Sequence, residues 1–225
     1  MRIDGHGCVK IVVLGAGGTG LFMADCICNA TGFQFVGFLD DDGQKQAKGY
    51  ENFSVLGGLN RWNALPSEYH FLSSLYGDKK MQALVRRVEN LGIPEDRWAT
   101  FVDPMTKIGS RAKIGKGSFI GPGSIIEPVA MIGRRCGLLG NVYVAHHSVL
   151  DDYVVCANSV SISGGVSVGK GAYIGANASV RQCVRIDSFA IVGMGAVVLD
   201  AVLGATTVVG NPAKPMGCSF ESRQT

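Results

Sequence analysis

The chain has 225 residues, 47% of them apolar and 17% charged, and a net charge of +3. That is enough apolar side chain for a core, which excludes a disordered chain, and the length favours two small domains over one. The charge is too small for a dedicated nucleic-acid binder, no run of five Lys or Arg occurs, and no apolar run approaches the roughly 20 residues of a membrane span.

With no signal-peptide pattern at the start, the expectation is a cytoplasmic protein. Seven cysteines (Cys8, Cys26, Cys28, Cys136, Cys156, Cys183, Cys218) form no C-x-x-C pair and read as reduced thiols. The 32 glycines, about twice the usual share, follow no G-x-y period and must serve turns.

Residues 1–100 read as a small Rossmann-like α/β domain. Lys10–Leu14 is a buried strand, and Gly15-Ala16-Gly17-Gly18-Thr19-Gly20 turns into an apolar helix from about Leu21 to Ala30. Phe33–Leu39 is a second strand ending in Asp40-Asp41-Asp42, and a third strand or turn lies near Tyr69–Tyr76. Gly77-Asp78 leads to a helix over Lys79–Leu91 whose Met81, Leu84, Val85, Val88 and Leu91 make one apolar stripe. Alternating β and α elements imply a parallel sheet.

Residues 101–225 obey a different rule. From Ile108 to Val198 every sixth residue is apolar, sixteen positions without a slip, and the residue four places after each is small or β-branched, from Ala112 to Val202. Neither a helix nor a flat strand has that period. A solenoid does, with three short strands and three corners per eighteen-residue coil; sixteen hexapeptides make about five coils and a prism about 25 Å tall. Eighteen glycines follow residue 100, and twelve fall on the second or fourth place of the repeat. There, flanking the corner, a residue without a Cβ tolerates tight or left-handed backbone.

Three groups of residues carry possible chemistry. The glycine loop fits G-x-G-x-x-G, and Asp40 lies twenty residues after Gly20, as in a dinucleotide fingerprint. A domain with room for one mononucleotide half favours a single nucleotide or nucleotide sugar, with Gly15, Gly17, Gly18, Thr19 and Gly20 near phosphate and Asp40 and Asp41 at ribose or base. A purely structural strand–helix turn stays open. At a solenoid corner His146 and His147 point outward, and eighteen residues on the same corner reads Ser163-Gly164-Gly165. A histidine base one strand spacing from a glycine amide able to bind an oxyanion is a minimal acyl-transfer site; exposed corner histidines without a role are the alternative. Lys214 is the first candidate for an anionic cofactor, with Arg181, Arg185 and Lys170 behind it.

From Lys10 to Met216 the chain resembles the nucleotide-sugar acetyltransferases and sialic acid O-acetyltransferase homologues of bacterial surface-glycan pathways. The resemblance rests on Val13–Gly20, Phe38-Leu39-Asp40-Asp41-Asp42, Gly77-Asp78, Val144–Leu150 and Gly210-Asn211-Pro212-Ala213-Lys214-Pro215-Met216. It implies a Rossmann-like domain joined to a left-handed parallel β-helix, assembled as a homotrimer with acetyl-CoA between neighbouring prisms.

The resemblance also implies roles. His146 deprotonates an acceptor amine or hydroxyl, and the Gly164 amide, beside Gly165, holds the thioester oxygen. Ala213 and Lys214 lie along the cofactor, and the glycine loop with Asp40 and Asp41 takes the nucleotide. Relatives commonly place a carboxylate beside the histidine; here the neighbours are Ala145 and His147, so Glu127, one coil below, or an acid from the next subunit is the candidate partner. Val155 and Thr19 stand where some relatives carry histidines.

The expected activity is acetyl transfer to an amino group of a nucleotide-linked sugar. A sugar hydroxyl, as in sialic acid, and a non-catalytic nucleotide-sugar-binding protein are the alternatives. A trimeric zinc hydratase needs three histidines where the prism has two, so no metal is expected.

Overall fold

The computed structural model describes residues 8–77 and 80–216. Asp78, the proposed start of a helix at Lys79, and Cys218 lie outside them.

Three parallel strands, β1 (Val9–Leu14), β2 (Phe33–Leu39) and β3 (Tyr69–Ser73), form a sheet in the order β2-β1-β3. Helix α1 (Gly18–Cys28) begins three residues earlier than the hydrophobic pattern implies, because the second half of the glycine loop is already wound: the Leu21 amide donates to the Gly17 carbonyl at 2.8 Å. It ends where the Asn29 side chain donates back to the Asp25 carbonyl. The structure adds a short helix α2 (Gly43–Lys48) and 3-10 turns at Leu59–Ala64 and Glu95–Arg97. The signal for α2 was present in Asp42, whose carboxylate accepts from the Gln44 and Lys45 amides as an N-cap. Helix α3 (Met81–Asn90) buries Met81, Val85 and Val88.

Beyond this sheet the chain winds into a left-handed prism of two-residue strands. The second residue of each strand from Lys107–Ile108 to Val197–Val198 is an apolar position of the sixfold series. Strands eighteen residues apart pair in parallel, giving three faces. The first runs from Phe101–Val102 to Ile191–Val192 and on to Thr207–Val209 and Lys214–Pro215, the second from Lys107–Ile108 to Val197–Val198, and the third from Lys113–Ile114 to Arg185–Ile186. The coil therefore starts one step before Ile108. Its last turn is short: Val208 pairs with Val192, sixteen residues away, where the regular series ends.

The small residues of the repeat bind as well as fit. Buried Ser118 and Ser148 each donate to a carbonyl of the next coil, at 2.8 and 2.9 Å, and accept from an amide of that coil. The two glycine classes separate. Every sixth residue from Arg111 to Gly195 has a left-handed φ, glycine or not, so only the fourth place of the repeat is left-handed. At the second place glycine answers close approach: a Cβ on Gly115 would lie 2.5 Å from the Gly133 carbonyl.

The first face carries the α/β unit. Phe101 and Phe119 stack on it at 5.2 Å and join the core of Ile11, Val13 and Met23. Trp98 bridges to Phe71 in β3, and three residues later the Phe101 amide donates to the Ser118 carbonyl of the prism, so one extended segment serves both sheets. Arg135 pairs with Glu95 and covers Trp98 at 4.6 Å, and Lys170 reaches Glu89 at 2.8 Å. The corner between the second and third faces, opposite this junction, carries the two histidines.

Candidate active site

His146 and His147 follow the second-face strand Tyr143–Val144, and His147 takes the left-handed place with φ 60°. Both side chains are exposed. The His146 carbonyl accepts from the Gly165 amide one coil up at 3.0 Å, which fixes the corners to each other. Directly above lies Gly164: a Cβ built there would meet the His146 ring at 2.7 Å from Cε1 and 3.0 Å from Nε2. The Gly164 carbonyl accepts from the Cys183 amide, whereas its own amide has no hydrogen-bond partner among the described residues. Of the two glycines, then, Gly165 spends its amide on the fold and Gly164 keeps its amide free. His146, His147, Gly164, Gly165, Gln182 and Cys183 line an open groove of about 310 Å³. Gln182 was not singled out from the sequence, although it follows Gly164 by one eighteen-residue coil.

Glu127 lies beneath the corner, but its contact differs from the one expected of an acid partner. One carboxylate oxygen accepts from the main-chain amide of His146 at 2.8 Å and the other from the Tyr143 hydroxyl. It grips the backbone that carries the imidazole, not the ring. The Tyr143 hydroxyl and then the His146 amide hold the Glu127 carboxyl below the usual carboxylate range, so it stays anionic under the ring. The hydrogen-bond neighbour of the imidazole is His147, with the two Nδ1 atoms 3.1 Å apart and the rings edge to face.

At the other end of the molecule the glycine loop divides. A Cβ on Gly15 would strike Leu75 at 2.8 Å and one on Gly20 would lie 2.2 Å from the Gly15 carbonyl, whereas Gly17 and Gly18 face open space. Gly17 caps α1 without a side-chain hydrogen bond and no acidic residue occupies the first turn, which leaves the helix N-terminus, with Thr19, open to an anion.

The acidic pair is engaged within the protein. Asp40 accepts from the Ala16 amide at 2.7 Å and the Asp42 amide at 2.9 Å. Burial raises its pKa, but these amides and Lys45 outweigh burial and hold it low. Asp41 accepts from the Leu59 amide and pairs with Arg87. Asp41 also lines a groove of about 520 Å³ with Asn60, Gln82, Arg86 and Arg87. The two arginines were hidden in the polar face of a helix read for its apolar stripe.

Arg181 sits on the histidine corner two coils above Ala145, with Asp200 at 3.7 Å. The Ala213 amide donates to Val197 at the end of the second face, and Lys214 next to it is exposed. Arg185 pairs with Asp187 and Lys170 with Glu89, so these two weaker candidates are held elsewhere. Val155 is buried under the α/β unit. Among the described residues no three His, Cys, Asp or Glu come together as a metal site.

The model of the PglD N-terminal domain matches residues 10–82. The acetyltransferase domain of PglB from Neisseria gonorrhoeae, solved with acetyl coenzyme A, is 26% identical and superposes over 93% of this chain and all of that one, with a TM-score of 0.81. The chain belongs to the hexapeptide-repeat acyltransferase superfamily. Within it, WeeI from Acinetobacter baumannii is 28% identical over 92% of this chain and 99% of its own, with a TM-score of 0.76. An acyl-[acyl-carrier-protein]–UDP-N-acetylglucosamine O-acyltransferase from Alkalilimnicola ehrlichii is 38% identical over 86 residues, a stretch covering 33% of that relative's length. Among the described residues of this superfamily member no helix is long and apolar enough to cross a membrane.

Proposed function

We propose that the protein is an acetyl-CoA-dependent acetyltransferase acting on an amino group of a nucleotide-linked sugar. The observation that carries this is the unpaired Gly164 amide beside the His146 ring in an open groove. The superposition on a domain solved with acetyl coenzyme A supports the cofactor, and the matched UDP-N-acetylglucosamine O-acyltransferase supports a nucleotide-sugar acceptor.

The cofactor supplies an activated acetyl thioester. Nε2 of His146 takes the proton from the attacking amine, and the Gly164 amide faces the charge that develops on the acyl oxygen; as the C–N bond forms the thioester C–S bond breaks, and the proton passes from Nε2 to the departing CoA sulfur. Arg181 two coils up, with Ala213 and Lys214 at the end of the prism, are assigned to the distal part of the cofactor. The open amides of Gly17, Gly18 and Thr19 receive the nucleotide phosphates; Asp40 shapes the loop and Asp41 faces the adjoining groove.

A homotrimer belongs to the same proposal. The α/β unit covers the first face while His146 lies on the opposite corner, so a sugar held at the glycine loop of one copy reaches the histidine of another. Exposed Ile125, Met131 and Val149 flank the histidine corner and supply an apolar contact.

The test is acetyl-CoA consumption with UDP-, GDP- and dTDP-amino sugars, amine-free sugar nucleotides and sialic acid, for the wild type and His146→Ala. Transfer to amines that disappears in the variant is expected. Turnover kept by His146→Ala sinks the mechanism; transfer confined to hydroxyl acceptors moves the activity to O-acetylation. No binding of acetyl-CoA leaves a non-catalytic nucleotide-sugar-binding protein.

A further inference from the structure

A histidine acts as a base through one ring nitrogen only when its proton sits on the other, and what holds it there is the partner of that other nitrogen. In this protein the partner is a second imidazole. The Nδ1 atoms of His146 and His147 are 3.1 Å apart. Two N–H groups at that distance repel and two lone pairs do not bond, so a neutral pair carries one proton on Nδ1 of one ring and on Nε2 of the other. Two arrangements satisfy this, and they are opposite in function.

We propose that His147 is the positioning residue for His146: its Nδ1 lone pair accepts from Nδ1–H of His146 and leaves the His146 Nε2 lone pair facing the groove. The proposal rests on His146 being the base of the acetyl transfer. Two features favour this arrangement over its reverse. The reverse would turn Nε2–H of His146 into a groove that already contains the unpaired Gly164 amide, and would leave the ring no lone pair there to take a proton. In addition, Glu127 lies under the His146 main chain as an anion, which favours the ring that gains positive charge when it takes the acceptor's proton. On that event the Nδ1–H of His146 keeps its bond to His147. The proton gained resides on Nε2 and passes to the sulfur of the departing CoA as the thioester C–S bond breaks, so the pair returns to its starting state without a net change at His147.

Backbone geometry selects the variants. His147 has φ 60°, where glycine and asparagine sit without the strain that alanine would add. His147→Gly removes the acceptor and keeps the corner; His147→Asn keeps an acceptor oxygen near the place of Nδ1. The first readout is the tautomer of His146, read from long-range nitrogen–proton NMR correlations of the full-length protein at mildly alkaline pH. Assignment is tractable because the chain has four histidines. The second is the kinetics of acetyl transfer.

The expected result is a His146 protonated on Nδ1 in the wild type and in His147→Asn, and on Nε2 in His147→Gly. In His147→Gly, kcat falls about 10- to 100-fold with KM for both substrates unchanged, and His147→Asn recovers most of the loss. A wild-type His146 protonated on Nε2, a tautomer indifferent to His147→Gly, or equal rates for the two variants overturns the proposal. The NMR result stands without any turnover, so absence of acetyl transfer in the wild type would reject the catalytic reading and not the tautomer assignment.

Discussion

The imidazole of His146 rests on the Cα of Gly164, close enough that a single methyl group there would lie 2.7 Å from its Cε1. Gly164→Ala keeps the main-chain amide and displaces the ring, so it separates the geometry of the base from the presence of the donor. Misplacing a reacting group by about an ångström costs on the order of 10²-fold, and that loss is expected in kcat with acetyl-CoA affinity retained. Gly165→Ala meets only the Cys183 sulfur at 3.4 Å; the price of its left-handed φ of 68° falls on stability. Steady-state kinetics of both variants beside thermal melts check this; equal kcat losses would mean that contact with the ring is not the cause.

Glu127 predicts a pH dependence of the corner. Its carboxyl titrates below the usual range because the Tyr143 hydroxyl and then the His146 amide bind the anion. A depressed folded-state value means that the anchoring is fully present above the ordinary carboxylate pKa of about 4.3 and is lost as pH falls through the lower, folded value. Carboxyl-carbon NMR should place the Glu127 midpoint below that of free glutamate, and Tyr143→Phe should move it upward. A midpoint unmoved by Tyr143→Phe would remove the hydroxyl from the account.

The glycine loop predicts two classes of variant. Alanine at Gly20 must displace the Gly15 carbonyl and is expected to cost about 1–3 kcal/mol. Gly18→Ala meets nothing within 4 Å at the first residue of α1, so stability holds or rises by up to about 1 kcal/mol. The same methyl stands between helix N-terminus and phosphate, and KM for the nucleotide sugar should rise several-fold at constant kcat. Denaturant melts and kinetics decide; an unchanged KM would take the loop out of substrate binding.

These loops show where sequence alone stops. The solenoid was legible because its constraint is local and repeated: each coil needs the same inward residue every six positions, and Ile108 to Val198 obeys without exception. The vertical neighbourhood of His146, Gly164 and Glu127 followed from the eighteen-residue coil. What sequence could not resolve was competition for the same polar atom. Asp40 has the spacing of a ribose ligand, yet the Ala16 amide lies 2.7 Å from its carboxylate. Glu127 falls at the height expected of an acid partner, yet Tyr143, a strand residue without any motif, takes one of its oxygens. Arg86 and Arg87 reach a common groove with Asn60 only through the tertiary placement of α3.

The cysteines provide a probe of where the cofactor lies. Burial pushes the Cys136 thiol up to about 12 and that of Cys26 up to about 11, and it raises Cys156 as well. All three are closed to a thiol reagent in the native protein, whose attacking form is the thiolate. Cys8, Cys28 and Cys183 are exposed, and Cys183 alone of these lines the histidine groove. Labelling at pH 8 followed by peptide mapping should therefore modify these three and spare Cys26, Cys136 and Cys156 until the protein is unfolded. With saturating CoA, modification of Cys183 should slow at least tenfold while that of Cys28, on α1, is unchanged. Equal rates at Cys183 with and without CoA, under conditions where calorimetry registers binding, would place the cofactor outside this groove and detach the Gly164 amide from the thioester.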